Sequence, residues 1–134
     1  MVHVLLLAGA TMLFAGCSST PSDKTSNWSP NRLYAEAKDE MNSGAYDKAV
    51  GLLEKLEGRA AGTILAQQAQ LDKAYAQYKN GDRVAAIVTL DRFMKLNPAS
   101  PAMDYAMYLK GTINFNDDLE IGRASCRERV SSPV

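Results

Sequence analysis

The sequence predicts an all-α fold, a solenoid of stacked helical hairpins carried behind an N-terminal export signal. Three observations predict it. From Asn31 onward, apolar residues recur at helical spacing. That pattern then repeats with a constant offset: Gly44 and Gly81, Ala49 and Ala86, and Leu56 and Phe93 are each 37 positions apart. Each copy is punctuated by its glycine, and the second closes with Leu96-Asn97-Pro98, a helix stop.

The first element, residues 1–16, is an apolar run from Val4 to Gly16 that is followed at once by polar Ser18-Ser19-Thr20-Pro21-Ser22. It falls well short of the ~20 residues needed to span a bilayer and reads as a secretory signal. Met1-Val2-His3 carries no lysine or arginine, a departure from the usual basic start. Ala15-Gly16-Cys17 resembles a bacterial lipobox, with Phe14 where leucine is usual. The resemblance implies that Cys17 is diacylated, the signal is removed, and the new amino group is acylated. Three acyl chains exceed the two anchoring signals that stable membrane attachment requires. Ser18, rather than aspartate, resembles lipoproteins sorted to the outer membrane of Gram-negative bacteria. A plain secretory signal with a coincidental cysteine is the other reading.

Residues 17–30 are rich in Ser, Thr and Pro, with Pro21 and Pro30 as helix breakers, and predict a flexible tether. Trp28, its one large apolar residue, can dock on the first helix or sit at a membrane interface.

Residues 31–119 form the repeat domain. Each unit is a helix, a glycine turn and a second helix, whose small residue (Ala49, Ala86) permits close packing. Ala49, Leu53, Leu56, Ala86, Leu90 and Phe93 are the predicted core. A third first-helix follows Pro101, with Tyr105, Tyr108, Leu109 and Thr112 expected along one face. The units resemble the tetratricopeptide repeat, nominally about 34 residues long, with the extra residues in the inter-repeat connection. The match runs from the glycine turn through the second helix. About two and a half repeats are present where about three normally suffice for stability, which predicts a marginal fragment of a longer solenoid.

The stretch Glu120–Val130 is expected not to belong to the natural protein. One permitted codon choice for it spells the adapter ligated to fragments in short-read sequencing libraries. Residues 120–134 are therefore set aside from fold reasoning, and Cys126 with them.

Composition excludes several chemistries. Between Cys17 and Glu120 there are 12 Lys/Arg and 14 Asp/Glu, no electrostatic footprint for nucleic acid. The one histidine, His3, lies in the signal, and the two cysteines are Cys17 and Cys126. No Ser-His-Asp or Cys-His system and no His-ligated zinc site can be assembled. The chain is expected to be no enzyme and to hold no metal and no cofactor beyond the covalent lipid on Cys17.

Several residues between Gln70 and Phe115 carry a more specific resemblance: Ala74-Tyr75, Tyr78-Lys79-Asn80, Asp91-Arg92-Phe93, Leu96-Asn97-Pro98, Pro101, Asp104-Tyr105, Tyr108 and Gly111. With Tyr34-Ala35 after Pro30 and the lipobox upstream, the chain resembles the BamD (ComL) family, lipoproteins of the outer-membrane β-barrel assembly (Bam) machinery. The resemblance covers nearly all of residues 17–119 and about the first half of the family's length. It implies an outer-membrane lipoprotein on the periplasmic face. The implied partners are a BamA-type barrel subunit, other Bam lipoproteins and unfolded outer-membrane proteins. In tetratricopeptide arrays the first helices line the concave surface, which places Tyr34, Lys38, Tyr75 and Lys79 as client-binding candidates. There a tyrosine can stack on a client's terminal aromatic ring and a lysine can meet its carboxylate. Tyrosine packing beside solvated lysines is the structural alternative. Another periplasmic repeat lipoprotein, pilotin-like or coordinating envelope division, is the functional one.

Overall fold

The computed structural model describes residues 23–115. The proposed signal, Cys17 and residues 116–134 lie outside them. Among the described residues the architecture is helical throughout: α1 (Pro30–Asn42), α2 (Tyr46–Arg59), α3 (Ile64–Lys79), α4 (Arg83–Leu96) and a further helix, α5, over residues 103–115. Consecutive helices α1 to α4 pack on one another. The expected helical-hairpin solenoid is what forms.

Local chemistry sets the boundaries. Ser29 caps α1 by accepting the Arg32 N–H, and Pro30 occupies the first turn, where its missing donor costs nothing. Thr63 caps α3 in the same way through the Ala66 N–H. The two glycine turns are copies of each other. Gly44 (φ 83°) donates to Met41 O and Ala45 to Glu40 O, while Gly81 (φ 91°) donates to Tyr78 O and Asp82 to Gln77 O. Both are left-handed helix ends closed by a pair of nested hydrogen bonds, a conformation that glycine adopts without steric penalty.

The repeat is equally visible in the core. Ala37 and Ala74, Ala49 and Ala86, Leu53 and Leu90, and Leu56 and Phe93 all have no exposed surface. Burying each leucine or phenylalanine side chain contributes roughly 1.5–3 kcal/mol. α3 is the shared layer. Its Ala66, Ala69 and Ala76 join the first cluster with Leu33, Leu53 and Leu56. Its Leu71 and Ala74 join the second cluster with Leu90, Phe93 and residues of α5. Small side chains on both flanks let two layers close on one helix.

The buried face of α5 includes Leu109 of the expected row but not its tyrosines. Ala106, Leu109 and Ile113 are buried, whereas Tyr105 and Tyr108 are 44% and 69% exposed. The i, i+3, i+7 set that fills the second cluster is apolar, and it leaves the two tyrosines outside that cluster. Residues 23–29, within the segment read as a tether, are built against α1 and α2, and Trp28 packs on the first cluster. Among the described residues no helix is long and apolar enough to cross a membrane.

Candidate functional site

The first helices α1, α3 and α5 share apolar clusters, and α1 and α3 are also joined by a polar contact. Its hub is Asp72 of α3, 8% exposed. The Tyr34 hydroxyl of α1 donates to Asp72 Oδ2 at 2.9 Å, and Lys38 Nζ lies 3.5 Å from the same oxygen. Gln68, one turn earlier on α3, places Nε2 3.4 Å from Oδ1. A carboxylate taken this far from water is stable only with such partners. Burial, and then the hydrogen bond to Asp72, push the Tyr34 phenol up to about 12. Tyr105 of α5 is also raised, first by burial and then by the negative charge of Asp72 and by Tyr75 and Tyr108.

Of the four client-binding candidates, the structure joins Tyr34 and Lys38 through Asp72. Tyr75 is half-buried and packs against both core clusters at once. Lys79 is exposed in the last turn of α3 and has no ion pair among the described residues. Asp72, Tyr75 and Lys79 fall at i, i+3 and i+7, one face of α3. Cys17, the lipidation candidate, lies outside the described residues. Sequence reasoning missed Asp72 and gave Tyr105 no role at this face. The spacing of Asp72 to Tyr75 and Lys79 is the signal that could have found the first.

The opposite side holds a cleft of about 500 Å³ between the C-terminal halves of α2 and α4, lined by Glu54, Glu57, Gln67, Gln70, Arg92 and Leu96 among others. Beside it Lys73 Nζ sits 3.0 Å from Glu57 Oε1, with both side chains nearly buried. The pair is in ionic contact without hydrogen-bond alignment. It ties α2 to α3, and removing one partner would leave a buried charge uncompensated. No group of three or more His, Cys, Asp or Glu among the described residues could hold a metal ion.

This geometry, paired helices closed by matched turns with a face shaped by side chains rather than by a reactive centre, agrees with comparison to known proteins. The family model for the tetratricopeptide repeat matches residues 21–125. The chain belongs to the tetratricopeptide repeat family. It is also similar to curated proteins named outer membrane protein assembly factor BamD. The relative from Neisseria meningitidis serogroup B is 44% identical over 123 residues, 88% of this chain and 46% of that protein. The Vibrio cholerae relative is 38% identical over 93% of this chain and 53% of its own length. The Haemophilus influenzae relative is 33% identical over 84% and 43%. The chain thus spans about half the length of the curated relatives it matches. The resemblance to BamD read from the sequence is borne out by these relatives.

Proposed function

We propose that this chain serves as a non-catalytic lipoprotein scaffold in outer-membrane protein assembly. The observation that carries the reading is 44% identity to a BamD assembly factor across 88% of the chain. The anchor is acylated Cys17, which holds the repeats at the periplasmic face of the outer membrane. The partners are a BamA-type barrel subunit, companion Bam lipoproteins and unfolded outer-membrane proteins. A pilotin-like or division-coordinating role is not favoured, because the relatives share one name and one assembly role.

Clients meet the α1–α3–α5 face. Tyr75 offers its ring to an aromatic residue at the client's C-terminus. Lys38 is already engaged by Asp72, so Lys79 is the better-placed cation for the carboxylate, in a modest pair weakened by salt. Tyr34 acts here by holding Asp72 in place. The test is titration of a labelled C-terminal client peptide against wild type, Tyr75→Ala and Lys79→Ala, with the amidated peptide as control. Weaker binding in all three comparisons is expected. Indifference to amidation and to both substitutions overturns the placement. For the anchor, Cys17→Ala should abolish membrane fractionation in a Gram-negative host, and a variant still membrane-bound and cleaved at the same site overturns acylation.

A further inference from the structure

The segment before α1 is gripped by three cations. Lys55 Nζ donates to Asp23 Oδ1 at 2.8 Å and to Thr25 Oγ1 at 3.1 Å. Arg59 Nη1 donates to the carbonyls of Thr25 and Trp28, each at 2.8 Å. The Arg32 guanidinium lies 4.3 Å from the centroid of the Trp28 ring. Asp23 also accepts from the backbone N–H and the hydroxyl of Thr25, so the strap is closed on itself as well as tied to α2. Exposed contacts of this kind are weak one at a time. Here they act together on seven consecutive residues.

The position of the strap gives it a consequence. Cys17 stands six residues before Asp23. A chain reaches at most about 3.5 Å per residue, so Asp23 lies within about 20 Å of any membrane that holds Cys17, whatever path the intervening residues take. The helix termini beside the strap are the end of α2, the start of α3 and the end of α4. They carry exposed Lys95 with Ile64, 84% exposed, and Leu96, 59% exposed, and the strap itself adds exposed Lys24. Apolarity alone does not choose this end, since Val84 and Phe115 are as bare at the other one. The strap distinguishes it, because Lys55 and Arg59 hold Asp23, Thr25 and Trp28 against the C-terminal part of α2. At about 1.5 Å per residue, the length of α2 sets the two ends roughly 20 Å apart.

We propose that residues 23–29 are an orienting clasp that presents the Ile64–Lys95 end of the array to a phospholipid surface. The inference rests on acylation of Cys17 as read above. Lysines at this end attract anionic headgroups, and Ile64 and Leu96 enter the interface. Without the clasp, residues 23–29 would add to the length of chain between Cys17 and the array, and either end could face the lipid.

The test uses the mature acylated protein in a Cys126→Ser background, reconstituted on phosphatidylethanolamine–phosphatidylglycerol vesicles carrying bromine on the acyl chains. A fluorophore is placed at Ile64→Cys or, at the opposite end, at Lys48→Cys. Strong quenching at 64 and little at 48 is the expected result. Lys55→Ala with Arg59→Ala should erase the difference. So should a Gly/Ser insertion between Ser22 and Asp23, which leaves every folded contact intact. Equal quenching at both sites in a protein that floats with vesicles overturns the clasp and leaves the anchor standing. A protein that does not float overturns the anchor, and the clasp with it.

Discussion

Tyr34 and Asp72, on different hairpins, are joined by a 2.9 Å hydrogen bond that spans 38 positions of sequence. The bond fixes α1 against α3 on the face where the candidate residues gather, and it satisfies a carboxylate that the fold has nearly removed from water. Removing the hydroxyl with Tyr34→Phe keeps the ring and deletes the donor. We expect a loss of about 1 kcal/mol, the usual net worth of one such bond with some extra for its charged acceptor. A urea melt measures it. Asp72→Ala should cost more, because Lys38 and Tyr34 both lose their partner. If both variants melt like wild type, the hub contributes nothing to the fold.

The same bond predicts an alkaline signature. The Tyr34 phenol is raised from an ordinary value near 10 to about 12, chiefly by burial and then by Asp72. A phenol whose folded value lies above its unfolded one contributes stability fully present below pH ~10 and lost as pH rises toward 12. Tyrosinate absorbance should therefore show one of the six tyrosines ionising late, with Tyr105 also displaced upward. Tyr34→Phe should remove the latest component. Six tyrosines titrating together near pH 10 would contradict the arrangement.

Ala86 has no exposed surface and stands where α4 meets α3. Ala86→Leu inserts three carbons into a filled contact, and overpacking of this kind typically costs ~1–3 kcal/mol. Ala49→Leu, its counterpart one repeat earlier, should behave alike. The thermal midpoints of both variants should fall. An unchanged midpoint for either would mean the contact can open without strain.

Asp23 predicts resistance to acid. Its hydrogen bond to Lys55, and then those to Thr25, hold its carboxyl well below the usual carboxylate range. A depressed value gives a contribution present above pH ~4, the unfolded value, and lost only as pH falls through the lower folded one. Trp28, the single tryptophan, reports on the strap directly. Its emission should stay constant through mildly acidic pH and change only in strong acid. Lys55→Ala should move that change to higher pH.

Much of the fold was legible because the repeat writes itself twice. A glycine at a fixed offset, a small residue five positions later and a leucine four after that define the turn, the close contact and the core, and one copy checks the other. Asp72 was not legible. An aspartate in an alanine-rich helix reads as solvated, and two of its partners, Tyr34 and Lys38, come from a different hairpin. α5 had no second copy to mark its core positions, so buried Ala106 and Ile113 went unnamed. The strap escaped for a different reason. The Ser, Thr and Pro content of residues 17–30 signals a free chain, while two of the three cations that bind the strap, Lys55 and Arg59, sit some 30 residues away on α2. Composition describes a segment alone, and both surprises are made by other segments.

The ring of Tyr75 belongs to two cores at once, for it packs on the cluster beneath the first hairpin and on the one beneath the second. A load applied to that ring is shared between both hairpins. An occupant stacked there should behave less like a passenger than like a keystone, damping the slip of one hairpin against the next. Amide exchange along α1 and α4, neither of which contributes Tyr75, should then slow together when the face is filled. An occupant on that ring would then be registered as stiffness, with no helix needing to move.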